Sequence, residues 1–165
     1  MRVFGCLLVG APVVAQAGTS TATLSVSIVI TASCTISSAT LIFPPTAGTS
    51  LITTAVNGSS TVSVTCTNGS PYSIAMDNGS NASGSQRRMI SGGNFLNYNL
   101  YVDPARTFPW STATGPGTCT TAGNCYLGTG DGTAQSISIY GLVPTTAIAP
   151  PPGTYTDTVT MTITF

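Results

Sequence analysis

The sequence predicts an all-β chain, an antiparallel sandwich of short strands, on three observations. Apolar residues recur at every second position in several stretches, the period of a strand with one buried face. Gly-, Pro- and Asn-rich turn signals separate those stretches. No segment sustains the periodicity of an amphipathic helix.

The clearest alternation occupies residues 21–31, TATLSVSIVIT. Ala22, Leu24, Val26, Ile28 and Ile30 share one face, and Thr23, Ser25, Ser27, Val29 and Thr31 the other. Residues 33–43 are again extended and β-rich, and Pro44-Pro45 ends them. Residues 46–60 read as a loop interrupted by Leu51-Ile52. Residues 61–66 form a strand with Val62, Val64 and Cys66 on one face. Asn68-Gly69 is a hairpin signal between this strand and a returning one at 71–76, where Tyr72, Ile74 and Met76 share a face.

Residues 77–86 are a polar loop, and the Asn-x-Ser sequences there, at Asn57 and at Asn68 read as turns rather than glycan acceptors. Alternation returns at 87–90 and 94–102, with Leu96, Tyr98, Leu100 and Val102 on one side. Residues 103–134 read as one long irregular section. Residues 135–141 form a strand carrying Ile137 and Ile139, and a Pro-rich connection follows over 144–153. The last strand is expected at 156–165, with Val159, Met161, Ile163 and Phe165 facing one way and Thr158, Thr160, Thr162 and Thr164 the other.

The chain of 165 residues is one domain's worth of sequence and can bury a sizeable core. Its charge is sparse: four Arg, four Asp, and no Lys, Glu or His. That excludes the electrostatic footprint of a nucleic-acid-binding protein. Disorder is excluded as well, because 42% of the residues are hydrophobic. An uncharged, Thr-rich surface suits a molecule that packs against copies of itself, and is equally at home on a secreted β-protein.

Residues 1–17 read as a secretory signal, with Arg2, an apolar run from Val3 to Val14 and a cleavage site at Ala15-Gln16-Ala17. The run is too short to span a membrane, and Cys6 within it is lost on processing. Cys34, Cys66, Cys119 and Cys125 remain, an even number in an exported chain, which reads as disulfides. Three pairings can be drawn. The preferred one joins Cys34 to Cys66 across two early strands and Cys119 to Cys125 around a short loop.

A metal site would need closer thiolates or His partners, and no cofactor is expected. Asp77, Asp103, Asp131 and Asp157 are scattered, and general acid–base chemistry without His, Glu or Lys is poorly equipped. An enzyme is therefore not expected. Asp103 with Arg106, and Asp157 at a strand start, read as turn-capping or ion-paired residues. The single carboxylate of Gly128-Thr129-Gly130-Asp131-Gly132 makes that stretch a turn rather than a calcium loop.

The second half carries Arg88-Met89, Asn97-Tyr98-Asn99-Leu100-Tyr101, Asp103, Arg106 and Trp110. It continues with Gly128-Thr129-Gly130, Tyr140-Gly141 and Gly153-Thr154-Tyr155-Thr156-Asp157-Thr158-Val159. In combination these blocks resemble the spore coat protein U domain family, which includes subunits of archaic, Csu-type chaperone–usher pili. The resemblance spans nearly the whole chain beyond the signal. It implies an incomplete immunoglobulin-like antiparallel β-sandwich completed by donor-strand exchange. A periplasmic chaperone supplies the missing strand first, and the N-terminal segment of the next subunit replaces it in the fibre.

Carried onto this sequence, residues 18–32 are the donor segment, with Ala22, Leu24, Val26, Ile28 and Ile30 as its inserting face. Residues 33–165 are the sandwich, and Val159, Met161, Ile163 and Phe165 border its groove. The implied partners are other copies or sibling subunits, a periplasmic chaperone and an outer-membrane usher. The implied location is a pilus at the cell surface, serving adhesion and biofilm formation. A tip adhesin would need a second domain, so a rod or adaptor subunit is expected. Two other readings stand beside this one. In one, a self-complete secreted or spore-coat-like sandwich uses residues 21–31 to close its own domain. In the other, a carbohydrate- or surface-binding module presents Tyr101, Phe108 and Trp110.

Overall fold

The computed structural model describes residues 10, 15–111 and 113–165. Most of the expected secretory signal, residues 1–9 and 11–14, lies outside the described residues. The chain divides into two units, residues 1–30 and 31–165. In the first, residues 15–30 carry no strand, and Leu24, Val26, Ile28 and Ile30 are exposed.

The second unit is built from strands β1 (Cys34–Ile36), β2 (Val56–Cys66), β3 (Pro71–Met76), β4 (Arg88–Ser91), β5 (Asn94–Asn97) and β6 (Asn99–Tyr101). They are followed by β7 (Ala113–Gly115), β8 (Thr118–Cys119), β9 (Tyr126–Thr129), β10 (Ala134–Val143) and β11 (Met161–Thr164). One sheet has the order β1-β2-β10-β6 and the other β11-β3-β9, while β4–β5 and β7–β8 are separate hairpins. Every pairing is antiparallel.

Period-2 alternation builds the core. Val62, Val64 and Cys66 of β2 and Ile137, Ile139 and Val143 of β10 are buried, while Ser59, Thr61 and Ser63 stay in solvent. Tyr72, Ile74 and Met76 of β3 complete the cluster from the facing sheet. Each fully buried aliphatic side chain contributes roughly 1.5–3 kcal/mol. The other face of β3 is buried too, because the Ser73 hydroxyl donates to the Gly115 carbonyl (2.8 Å) and so holds the β7–β8 hairpin over it.

Two cross-links and one cation fix the frame. Cys34 and Cys66, register partners on β1 and β2, form a disulfide with Cα atoms 4.1 Å apart. A second disulfide, Cys119–Cys125, closes the loop before β9. Arg87 is buried, and its guanidinium donates to the carbonyls of Met76 (3.3 Å), Asp77 (2.6 and 2.9 Å) and Trp110 (3.0 Å). These charge-assisted bonds offset the cost of burying a cation.

Several elements depart from the sequence-based expectation. β2 begins at Val56 rather than residue 61, so Asn57 lies in a strand and not in a turn. The turn-like Gly58 is register partner of Gly141, and the space above both is taken by Leu41 and Phe43. A Cβ on Gly141 would stand 2.8 Å from the Phe43 ring, so glycine is needed there for close approach. β1 stops at Ile36 instead of reaching residue 43. At that point the Ser37 hydroxyl, not a main-chain carbonyl, accepts the Ser63 N–H (3.0 Å).

Asn68-Gly69 makes a turn, with Gly69 at φ 78°, but not a hairpin, because β2 and β3 lie in different sheets. This corner is instead locked to the neighbouring loop: Gly69 N–H donates to Gly130 O, Gly130 N–H to Ser70 O and Gly132 N–H to Cys66 O. The expected 94–102 strand breaks at Tyr98, whose N–H turns to Arg87 O, and β5 and β6 enter different sheets. The section 103–134 is not uniformly irregular: it holds β7, β8 and β9, and β9 pairs with β3. Finally, β11 covers only Met161–Thr164, because residues 156–160 bond to a loop and to β4 rather than to β3.

The two disulfides differ in the size of the loop they close, with sequence separations of 32 and 6. The loop-entropy account therefore predicts unequal losses in urea unfolding. Replacing Cys34 and Cys66 together by Ser should cost about 3–4 kcal/mol, and replacing Cys119 and Cys125 only about 2 kcal/mol.

Candidate strand-accepting groove

An open seam lies between the two sheets. β1 is an edge strand of one sheet and β11 an edge strand of the other. Between the chain that continues β1, residues 39–49, and the approach to β11, residues 149–161, runs an apolar groove of about 1010 Å³. Its floor is core: Leu51, Val56, Met76, Met89, Leu96, Leu100, Ile139 and Val143.

Both rims carry backbone amides without partners. On the first, Leu41 and Phe43 turn inward and Ile42 outward, 74% exposed. The N–H groups of Leu41, Ile42 and Phe43 meet no acceptor among the described residues. On the second rim, bonding alternates. Thr156 exchanges bonds with Ile90, Thr158 O accepts from Ser80, and Thr160 exchanges bonds with Asp77. The odd-numbered Val159 N–H has no acceptor among the described residues. A strip of core flanked by two unpaired edges is what a missing strand leaves behind.

Part of the groove lining is polar. The Tyr98 hydroxyl donates to Asp157 Oδ2 (2.7 Å), and Asp157 Oδ1 accepts from Asn81 N–H (3.1 Å) and Nδ2 (2.9 Å). Burial, reinforced by the Asp157 bond, pushes the Tyr98 hydroxyl far above the ordinary phenol value, so it stays a donor. Phe43 packs edge-on against the Tyr98 ring, with centroids 6.4 Å apart.

Of the residues expected at the groove, Val159 and Met161 line it. Ile163 is half-buried opposite Ile74, farther along β11, and Phe165 is 47% exposed; neither lines the groove. Ala22, Leu24, Val26, Ile28 and Ile30 are all exposed and lie outside any strand. The sequence reading did not assign Leu41, Phe43, Met89 or Pro150–Pro152 to the site. The i, i+2 spacing of Leu41 and Phe43 just before Pro44-Pro45 was the signal available for the first rim. The expected aromatic display is corrected: Trp110 is 2% exposed and belongs to the core, where no surface ligand reaches it.

The carboxylates hold turns and strand ends. Asp77 accepts the N–H groups of Gly79 (2.9 Å) and Thr160 (3.0 Å). Asp103 accepts those of Thr107 and Phe108, and Asp131 accepts the Thr133 N–H and the Thr133 hydroxyl. Burial raises the Asp77 carboxyl, but the bonds from Thr160 and Gly79 outweigh it and leave it below the ordinary value. Desolvation likewise raises Asp103, but the combined bonds from Phe108 and Thr107 outweigh it, and Asp131 is lowered chiefly by Thr133. Among the described residues no cluster of His, Cys, Asp or Glu could hold a metal ion.

The sequence matches the Spore Coat Protein U domain over residues 20–162. The chain belongs to that family. A comparison with the curated proteins finds no match. Among solved structures, this spore coat U sandwich is similar to a crystal structure from Acinetobacter baumannii. That structure is the chaperone–tip adhesion subunit pre-assembly complex of the archaic chaperone-usher Csu pili. The likeness has a TM-score of 0.58 at 23% identity and covers 82% of this chain and 40% of that one. The present chain thus spans less than half the length of that chain. The shared feature is the fold, an all-β, immunoglobulin-like antiparallel sandwich.

Because the lowered carboxylates are stabilised in the folded state, their contribution is present above about pH 4 and is lost as pH falls through their folded values. The melting temperature should hold from about pH 7 to about pH 5 and drop below about pH 4. Asp77→Asn keeps an acceptor for Thr160 but removes the titration, and should shrink that acid-side drop.

Proposed function

We propose that this spore coat U domain protein is a structural subunit of an archaic chaperone–usher pilus, polymerising head-to-tail by donor-strand complementation. The observation that carries this reading is the pairing of an open apolar groove with an exposed alternating segment in the same chain. The groove lacks main-chain partners on both rims, and residues 21–31 offer both a backbone and an aliphatic face. Burying Leu24, Val26, Ile28 and Ile30 would contribute on the order of 6–12 kcal/mol before ordering costs.

In this scheme residues 1–17 are removed on export, residues 18–32 are the donor, and residues 33–165 are the acceptor sandwich. A periplasmic chaperone fills the groove until an outer-membrane usher exchanges its strand for the donor of the next subunit. Donor and acceptor are different surfaces, so the contact is open-ended and builds a fibre. Other copies or sibling subunits are the partners, and the fibre serves surface adhesion and biofilm formation at the cell exterior. No step of this scheme requires catalysis or a cofactor.

The test places a carboxylate in the proposed interface. Ile28→Asp, co-produced with a chaperone and usher, should leave a folded, chaperone-bound subunit but abolish the fibres that wild type forms under electron microscopy. A stable wild-type monomer that the same substitution unfolds would instead mean that residues 21–31 close their own domain.

A further inference from the structure

The solvent face of the four-stranded sheet carries a feature that the groove does not use. Tyr140 of β10 stands in register between Ser59 of β2 and Tyr101 of β6, forming a row of two phenols and a hydroxyl across three strands. Two residues along, Leu142 stands between Asn57 and Asn99. A depression of about 450 Å³ opens there, lined by Tyr140, Ser59, Asn57, Arg106 and Pro104, with the exposed Ile42 as an apolar wall.

Arg106 is held in an unusual way. It is the non-glycine residue with positive φ (59°) among the described residues. An L-residue adopts that conformation at a cost, and such outliers cluster at ligand sites. Its side chain is fixed as well: Nε donates to Gly141 O (3.1 Å) and Nη1 to Pro104 O (3.1 Å), and the guanidinium carbon lies 6.0 Å from the Tyr140 ring centroid. Nη2 makes neither of these bonds, and a planar guanidinium so oriented is prepared to receive a carboxylate. The nearest carboxylate in sequence, Asp103, is engaged by the amides of Thr107 and Phe108. Arg87 and Arg88, by contrast, are taken up by backbone carbonyls, and Arg88 is also stacked on Phe95.

We propose that this depression binds an acidic saccharide, a sugar ring bearing a carboxylate. The Tyr140 phenol offers an apolar face with a polar tip, which suits the mixed C–H and hydroxyl surface of a pyranose. Asn57 and Ser59 supply donors and acceptors for ring hydroxyls, and Arg106 supplies the charge that selects the acid. Every residue of the site lies in one sandwich, and Ile42 alone is shared with the rim of the groove.

The test is an NMR titration of the full chain with trigalacturonate and with the neutral galactotriose. Trigalacturonate should give saturable shifts confined to the lining of the depression, Tyr140, Arg106, Ser59 and Asn57 among it, weakening with added salt. The neutral trisaccharide should bind at least about tenfold more weakly. Arg106→Gly suits the left-handed backbone while removing the cation, and should weaken trigalacturonate binding by at least about tenfold with the melting temperature maintained. Tyr140→Thr should weaken both sugars. Absence of saturable shifts in the folded wild type, equal affinity for the two sugars, or unchanged binding by Arg106→Gly would each overturn the proposal.

Discussion

A backbone amide at the margin of a hydrophobic core must find an acceptor, and in this sandwich two rows of them do not find one within the described chain. Leu41, Ile42 and Phe43 form one row, and Val159 marks the other. The strip between them is floored by the buried core residues Leu51, Leu96, Leu100, Ile139 and Val143, with the half-buried Met161 beside them. An unpaired edge beside an apolar groove is a template for the addition of a strand. The remaining features of the fold serve to hold these two rims in place.

The rims are fixed from outside the groove. Cys34–Cys66 ties β1 to β2, so the chain leaving β1 starts from a defined position. The facing glycines at positions 58 and 141 then let Leu41 and Phe43 settle onto the sheet, which turns that chain into a rim rather than a loose loop. On the opposite side, Asp77 holds Thr160 by a side-chain bond and Arg87 binds the carbonyls at the end of β3. The Tyr98–Asp157 hydrogen bond ties residue 157 to the turn between β5 and β6. Sparse charge is thus concentrated where the backbone would otherwise lack partners.

Much of this was legible in the sequence wherever alternation was long and one face was buried. β3, β10 and the inward set Val159, Met161 and Ile163 followed directly from period 2. The failures share a cause. Asn57-Gly58 and Asn68-Gly69 look alike locally, yet one lies in a strand because two side chains need its missing Cβ, and the other turns a corner between sheets. β9 went unseen because its four residues include Gly128, which lies against Tyr72, and Leu127, which faces solvent. Trp110 carried no sign of its burial, since its surroundings are set by Arg87 and by strands distant in sequence. The first rim of the groove was missed for the same reason. Its identity depends on what packs across from it, not on its own pattern.

The central claim is that the two rims are completed by a strand from another subunit. Hydrogen exchange read residue by residue, on the unassembled subunit and on fibres, tests it most directly. The amides of Leu41, Ile42, Phe43 and Val159 should exchange freely in the first state and become protected in the second, while Ile74 in the core stays protected in both. Equal exchange at the rim amides in the two states would contradict the account, since fibres would then form without filling the groove.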